Sequence, residues 1–129
     1  MIADTSAIVA VLAGEAERER LLTALLEADS IKISAATLVE LGIVIDRRRD
    51  PRLSRRLDEL LAELAVVVVP VDATQASTAR AAYRDYGKGS GHPAGLNLGD
   101  CFSYALASVT REPLLFVGNG FVHTDLERA

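Results

Sequence analysis

Residues 95–107 read Gly-Leu-Asn-Leu-Gly-Asp-Cys-Phe-Ser-Tyr-Ala-Leu-Ala, and the fold is best worked out from this stretch. It predicts a helix that begins after Asn97, a residue type that caps helix N-termini well. Apolar residues at helical spacing predict the face that packs inward, namely Leu98, Phe102, Ala105 and Val109. Asp100 lies off that face in the first turn, where its simplest role is to offset the helix dipole, worth about 0.3–1 kcal/mol. Other acidic residues in the chain favour a functional role.

The composition is that of one domain, residues 1–129, in which 50% of the residues are apolar. The longest apolar run, residues 64–69, is far too short to cross a bilayer, and we see no signal peptide. These features predict a cytoplasmic protein without membrane association. The single cysteine, Cys101, has only His92 and His123 as potential bases, so we do not expect a catalytic thiol. The net charge of −4 argues mildly against non-specific binding of nucleic acid.

Short apolar strands separated by helices predict an α/β fold, with a central parallel sheet of four to five strands and helices on both faces. The predicted strands cover residues 2–3, 31–33, 66–69 and 114–117. The valine run at 66–69 shows no alternation, which is typical of a central strand covered on both faces. The helix predicted at 36–48 is apolar on nearly every side, which is typical of a buried helix.

Polar side chains converge on one edge of this predicted sheet. Ligands of parallel sheets bind outside the carboxyl ends of the strands. Asp4 follows the first strand and Asn119 follows the last, while Glu40 and Asp100 lie on helices that can reach the same edge. Because an ionised carboxylate is costly in an apolar helix, Glu40 either forms a buried salt bridge, turns toward solvent, or faces a polar cleft that holds a cation.

Three carboxylates at one edge predict a cation site. Two carboxylates about 4 Å apart repel by roughly 4 kcal/mol at an effective dielectric near 20, so three do not stay ionised together without a cation or a proton. Oxygen ligands without His or Cys favour Mg²⁺ or Mn²⁺ over Zn²⁺. Such ions suit the hydrolysis of phosphodiester bonds.

Several motifs, taken in their order, resemble the PIN-domain ribonucleases, and most closely the VapC toxins of bacterial VapBC toxin–antitoxin modules. They are Asp-Thr-Ser at 4–6, Glu40, Tyr-Gly-Lys-Gly at 86–89, Ala-Gly-Leu-Asn-Leu-Gly-Asp-Cys at 94–101 and Pro-Leu-Leu-Phe at 113–116. The resemblance covers the whole chain. The motifs at 86–89, 94–101 and 113–116 are similar to those of a subgroup common in actinobacteria. It implies a PIN-like three-layer α/β/α fold, metal-dependent cleavage of RNA, a cognate VapB-like antitoxin as partner, and a homodimer.

The resemblance also implies roles for individual residues. Asp4, Glu40 and Asp100 would hold Mg²⁺ or Mn²⁺, and Thr5 or Ser6 would support Asp4 or a bound water.

The sequence departs from the subgroup's pattern at one point. Residues 118–121 read Gly-Asn-Gly-Phe where the subgroup has Gly-x-Asp-Phe, so Gly120 stands in place of a fourth acid. Asn119 or Asp125 would then supply the missing oxygen ligand, and weaker binding of the metal would attenuate the toxin. The alternative function is a catalytically inactive PIN-like module that binds RNA or the antitoxin.

Two groups of cations are candidates for contact with RNA. Six arginines fall within ten residues, and they form either a solvated helix junction or a patch that contacts phosphates, with Arg48, Arg49 and Arg52 as the candidate contacts. The second group includes Lys88, which lies in a glycine-rich loop. The wide leucine stripes at 21–26 and 53–64 predict core packing, and a groove between them would accept an amphipathic antitoxin helix.

Overall fold

A computed structural model describes residues 1–129 and contains four strands, six α-helices and a short 3₁₀ helix at Phe121–His123. The strands are β1 (Ile2–Ala3), β2 (Lys32–Ser34), β3 (Val67–Val69) and β4 (Leu114–Leu115). The helices are α1 (Thr5–Ala13), α2 (Arg18–Glu27), α3 (Ala35–Asp46), α4 (Pro51–Glu63), α5 (Ala73–Tyr86) and α6 (Leu98–Thr110). All strand pairs are parallel and the order is β3-β2-β1-β4. The predicted α/β fold with a parallel sheet is confirmed, with four strands.

The sheet separates two hydrophobic clusters of 13 buried residues each. Successive strand residues point to opposite faces, so Ile2 and Leu114 join the cluster under α5 and α6. Ala3 and Leu115 join the other cluster, which is covered by α1, α2, α3 and α4. These two layers of helices around one sheet make the three-layer arrangement.

Side-chain caps decide where the helices begin. Ser34, Asp50, Asp72 and Asn97 each accept a hydrogen bond from a backbone N–H in the first turn of the helix that follows. Such caps satisfy donors that have no partner inside the helix. The cap predicted at Asn97 is confirmed.

The strand predicted at residues 66–69 is not central. β3 lies at the edge of the sheet, and Val67 and Val68 are 49% and 46% exposed. β-branched side chains favour extended backbone at an edge as well as in the middle of a sheet, so the missing alternation does not report burial on both faces.

Two predictions about helix faces are also wrong. On α6, Leu98 and Val109 are 72% and 39% exposed, whereas Ala105 is buried as predicted. The buried face of α6 also carries Tyr104 and Leu106, which share a hydrophobic cluster with small residues of α5. The helix predicted at 36–48 is not buried on every side: Ile43 on α3 is 59% exposed. None of the helices is long and apolar enough to span a membrane.

Candidate active site

Asp4 lies at the carboxyl end of β1 and caps α1, with only 3% of the residue exposed. Its Oδ2 accepts hydrogen bonds from the Ser6 backbone N–H at 3.0 Å and from the Ser6 hydroxyl at 2.6 Å. Its Oδ1 accepts a hydrogen bond from the Ser103 hydroxyl at 2.6 Å. Both carboxylate oxygens are therefore engaged, which meets the cost of burying the group and fixes its orientation.

The hydroxyl of Ser103 links Asp4 to a third element. Ser103 is fully buried on α6, and its Oγ lies 3.1 Å from Oγ1 of Thr37, which is buried on α3. Because the single proton of Ser103 is donated to Asp4, Thr37 must donate to Ser103. Sequence reasoning missed both residues. The available signal was a serine within the mostly apolar residues 101–107 of α6.

Glu40 reaches the start of α6 because residue 99 has no side chain. A Cβ added to Gly99 would lie 1.4 Å from Oε2 of Glu40, so the carboxylate occupies the space that any other residue would fill. Glu40 is partly buried and makes no ion pair, although Arg47 lines the same cleft of about 470 Å³. The buried salt bridge considered from the sequence is absent.

Asp100 helps to cap the N-terminus of α6 and also lies near the carboxylates of Asp4 and Glu40. It forms a capping box with Asn97, in which Oδ2 of Asp100 accepts the Asn97 backbone N–H at 2.9 Å and the reciprocal bond measures 2.8 Å. Burial raises the pKa of Asp100 to about 6 against the opposing hydrogen bond from Asn97, and the charges of Asp4 and Glu40 raise it further. The simple capping role is thus real, but it does not account for the repulsion among the three acids.

The donor set at this edge fits a hard divalent cation in its chemistry, but not as a closed cage. No group of three or more His, Cys, Asp or Glu side chains in the chain is arranged so that it could hold a metal ion. Mg²⁺ is usually held by one or two carboxylates and several waters, so a looser set of acids suffices for it. A second feature concerns the residue after Asp4: Oγ1 of Thr5 is buried without a hydrogen-bond partner in the chain. A buried hydroxyl left unpaired costs about 1–3 kcal/mol, which a ligand oxygen or a water would remove.

The turn after β4 contains Asn119 and Gly120, at the position expected for a fourth acid. Asn119 is exposed in this turn. A Cβ added to Gly120 would lie 3.3 Å from the carbonyl oxygen of Ala94, so a side chain there fits if this carbonyl shifts by a few tenths of an ångström. Asp125 does not lie in this turn: its Oδ1 accepts a hydrogen bond from the Tyr104 hydroxyl at 2.6 Å, and it lines a cleft with Arg111 and Glu112 at the far end of α6.

The candidate RNA contacts lie at different distances from the acids. Arg48, Arg49 and Arg52 are exposed at the junction of α3 and α4 and form no ion pairs. The rise of α3 sets this junction roughly 10 Å beyond Glu40. Lys88 is joined to the segment before α6, because its backbone N–H donates to the carbonyl of Leu96, the residue that precedes the cap of α6.

The cysteine is not a nucleophile. Cys101 is 1% exposed, and burial together with the neighbouring charge of Asp100 raises the pKa of its thiol to about 11. A thiol that stays protonated at neutral pH neither attacks nor binds a metal readily.

The parallel sheet with its acidic edge is the architecture of a PIN domain, and the family profile described as PIN domain matches residues 1–126. Among solved structures, the sarcin-ricin loop cleaving toxin VapC20 of Mycobacterium tuberculosis has a TM-score of 0.76 at 17% identity, covering 99% of this chain and 97% of that one. VapBC2 from Rickettsia felis, bound to a DNA fragment from its promoter, has a TM-score of 0.75 at 15% identity, covering 99% and 96%. These likenesses show the fold.

Sequence similarity identifies the group of PIN domains to which the chain belongs. Ribonuclease VapC28 of Mycobacterium tuberculosis is 57% identical over 129 residues, which are 100% of this chain and 97% of the relative. The chain therefore belongs to the VapC ribonucleases of the PIN-domain family, and the resemblance noted in its motifs is confirmed.

Proposed function

We propose that this chain is the toxin of a type II toxin–antitoxin module and hydrolyses RNA phosphodiester bonds at the edge formed by Asp4, Glu40 and Asp100. One observation carries the proposal: carboxylates from three separate elements meet there, the charges of Asp4 and Glu40 both raise the pKa of Asp100, and none of the three has an ion-pair partner within the chain. Such an arrangement is destabilising unless a cation from outside the chain neutralises it. Action on cellular RNA corresponds to a cytoplasmic location.

We propose that Asp4, Asp100 and Glu40 hold Mg²⁺ or Mn²⁺, the hard ions that prefer an all-oxygen donor set. When bound, the ion supplies an activated water and stabilises the charge of the leaving oxygen. Asn119 is the candidate for a further, neutral oxygen ligand from the turn after β4.

The chain's own residues prepare this site before RNA binds. Ser6 and Ser103 hold the Asp4 carboxylate in one orientation, so no reorganisation is needed when a ligand arrives. Gly99 leaves the space in which the Glu40 carboxylate lies. The buried hydroxyl of Thr5 has no partner within the chain and would donate to a water beside Asp4.

RNA also needs cations along its backbone. We propose that Arg48, Arg49, Arg52 and Lys88 contact phosphates, because they are exposed and not engaged in ion pairs. A charge-reversing double variant of Arg48 and Arg52 should weaken RNA binding and flatten its salt dependence. An unchanged slope would return these residues to the role of a solvated helix junction.

Two surfaces are candidates for protein partners. A cleft of about 360 Å³ between α1, α2 and α4 is lined by Leu12, Leu22 and Leu60, and it fits the apolar face of a VapB-like antitoxin helix. The exposed Ile43 and Leu98 beside the Glu40 cleft form an apolar strip that fits a second copy of this chain. Sedimentation of wild type and Ile43→Asp tests the homodimer, since only the variant should be monomeric.

Cleavage of cellular RNA by the purified protein, with Mg²⁺ or Mn²⁺ and with a chelator, tests the proposed activity. We expect cleavage only with the metal and none from Asp4→Asn, whereas Asp58→Asn, which removes an exposed acid from α4, should cleave like wild type. Cleavage that persists in the chelator or in Asp4→Asn would show that another site or a contaminant is responsible.

A specific observation favours a second candidate function, that of a catalytically inactive module that binds RNA or antitoxin. Glycine at position 120 removes one expected acid, and the remaining acids do not form a closed metal cage. Cleavage by Gly120→Asp alone, with wild type silent, would favour this candidate. Cleavage by wild type would reject it.

A further inference from the structure

The last turns of α5 carry an aromatic side chain that the packing of the core does not use. Tyr83 is 47% exposed, whereas Tyr86 and Tyr104 pack against each other with ring centroids 5.6 Å apart. The Tyr83 hydroxyl donates to the carbonyl oxygen of Lys88 at 3.2 Å. A Cβ on Gly87 would lie 2.9 Å from Cδ2 of Tyr83, so the backbone of the loop passes directly against the ring. The ring is thus held in place while much of it stays open to solvent.

Cations surround this ring. Tyr83 lines a surface cleft of about 450 Å³ together with Ser77, Arg80, Ala81 and Arg84. Arg84 is paired with Asp85 at 2.8 Å, but Arg80 and Lys88 have no ion-pair partner. The cleft therefore combines an exposed aromatic ring with the unpaired charge of Arg80, and Lys88 adjoins it through its carbonyl, which accepts the Tyr83 hydroxyl.

Direct hydrogen bonds connect the cleft to the acidic edge. The Lys88 backbone N–H donates to the carbonyl of Leu96 at 2.8 Å, and the Leu96 N–H donates to the carbonyl of Tyr86 at 2.9 Å. The next residue, Asn97, forms the capping box with Asp100. The loop against which Tyr83 packs is therefore hydrogen-bonded to the segment that leads into Asp100, so the ring and the acidic edge belong to adjoining parts of the chain.

We propose that Tyr83, Arg80 and Lys88 form a subsite for an unpaired nucleotide of the RNA, in which the base stacks on Tyr83 and the cations contact the flanking phosphates. The inference rests on the proposed ribonuclease function. Single-stranded nucleic acid is commonly held in this way, by aromatic platforms within a positively charged groove. Every base has a π-face, so the subsite tolerates different bases and favours single strands over duplexes.

The test measures binding in the presence of a chelator, where the proposed cleavage does not occur. Fluorescence anisotropy of a labelled single-stranded RNA should show Tyr83→Phe binding like wild type, and Tyr83→Ala binding about 5- to 100-fold more weakly. Arg80→Ala and Lys88→Ala should each lower the log–log salt slope by about 0.7. Arg20→Ala, which removes an arginine paired with Glu17 on α2, is the matched control and should bind like wild type.

A second readout reports stacking itself. The chain contains no tryptophan, so Tyr83→Trp introduces a single fluorophore at the subsite. RNA should quench this fluorescence as it binds. Unquenched emission at saturating RNA, or wild-type affinity in a folded Tyr83→Ala variant, would overturn the subsite.

Cleavage assays separate this inference from the function on which it rests. If wild type and Tyr83→Ala bind and cleave RNA equally with Mn²⁺, the subsite is wrong and the ribonuclease function stands. If wild type binds RNA through Tyr83 but does not cleave, the subsite stands and the proposed activity fails.

Discussion

Replacing Asp100 by asparagine should stabilise the metal-free protein while abolishing cleavage. Oδ1 of asparagine can still accept the hydrogen bond from the Asn97 backbone, so the capping box survives. What disappears is a negative charge held near Asp4 and Glu40. Loss of the charge at the helix terminus lowers the stability, whereas loss of the repulsion from Asp4 and Glu40 raises it. The sign of the change in stability therefore distinguishes an acid that only caps a helix from one that belongs to a repulsive cluster.

The magnitude follows from the pKa of Asp100. Its rise from 3.8 to about 6 corresponds to about 3 kcal/mol at most, since one pKa unit is about 1.4 kcal/mol. Asp100 is partly exposed, and solvent screening reduces the cost to about 1–2 kcal/mol. Loss of the charge at the helix terminus subtracts about 0.3–1 kcal/mol. We therefore expect Asp100→Asn to gain about 1 kcal/mol at pH 7.5, a rise in Tm of about 3–5 °C.

The pH dependence of this gain has a definite sign. A group whose pKa is higher in the folded state stabilises the fold when it is protonated, and this stability is lost as the pH rises through the folded pKa. Wild type should thus lose stability relative to Asp100→Asn as the pH rises from about 4 to 7, and the two should agree below pH 4. Differential scanning fluorimetry with a chelator measures both curves.

A matched control is available on another helix. Asp72 caps α5 by accepting the Gln75 backbone N–H at 2.8 Å, and it has no acidic neighbours in its cap. Asp72→Asn should change Tm by less than about 1 °C and show no difference between pH 4 and 7, because asparagine caps as well as aspartate. A loss of more than about 1 kcal/mol in metal-free Asp100→Asn at pH 7.5 would refute the repulsive cluster and leave capping as the sole role of Asp100.

Three further perturbations test the supporting residues. Gly99→Ala should keep or slightly raise Tm, since alanine is the better helix former by about 1 kcal/mol, but it should weaken Mn²⁺ binding by displacing the flexible Glu40 carboxylate; unchanged affinity would show that the space at Gly99 is unimportant. Ser103→Ala should lower Tm, lower kcat and shift its pH profile, because Asp4 loses one of its hydrogen bonds; a loss of Tm with an unaltered pH profile would make Ser103 purely structural. Glu112 pairs with the N-terminal amine at 2.7 Å and with Lys32; burial raises the pKa of its carboxyl, but these bonds outweigh burial and hold the pKa below its usual value. Glu112→Gln should therefore cost about 1–3 kcal/mol of unfolding free energy at pH 7, and the penalty should vanish as the pH falls through the folded pKa; a penalty that persists at pH 3 contradicts this.

The features of the fold that depend on local chemistry could be predicted from the sequence. Caps such as Asn97 and breakers such as Gly14 set the helix ends, because they act within one turn of backbone. Asp4 could be placed at the carboxyl edge because it directly follows a strand.

Features that depend on neighbouring elements were not predictable. The exposure of Leu98 depends on which face of α6 packs against the neighbouring elements, and β3 lies at the edge because of strand order rather than composition. The hydrogen bonds from Ser103 to Asp4 and from Thr37 to Ser103 join residues 99 and 66 positions apart, and no spacing rule predicts such pairs. The space at Gly99 likewise becomes visible only once α3 is packed against α6.

Direct titration of Mn²⁺ into the metal-free protein, followed by the electron paramagnetic resonance of the free ion at pH 7.5, tests whether the three acids form a cation site. Wild type should bind the ion, and Asp4→Asn, Glu40→Gln and Asp100→Asn should each bind it at least about 10-fold more weakly. The control Glu63→Gln, which removes an exposed acid from α4, should bind like wild type. If Asp4→Asn and Glu40→Gln both retain wild-type affinity, the acids at the edge of the sheet do not hold the metal.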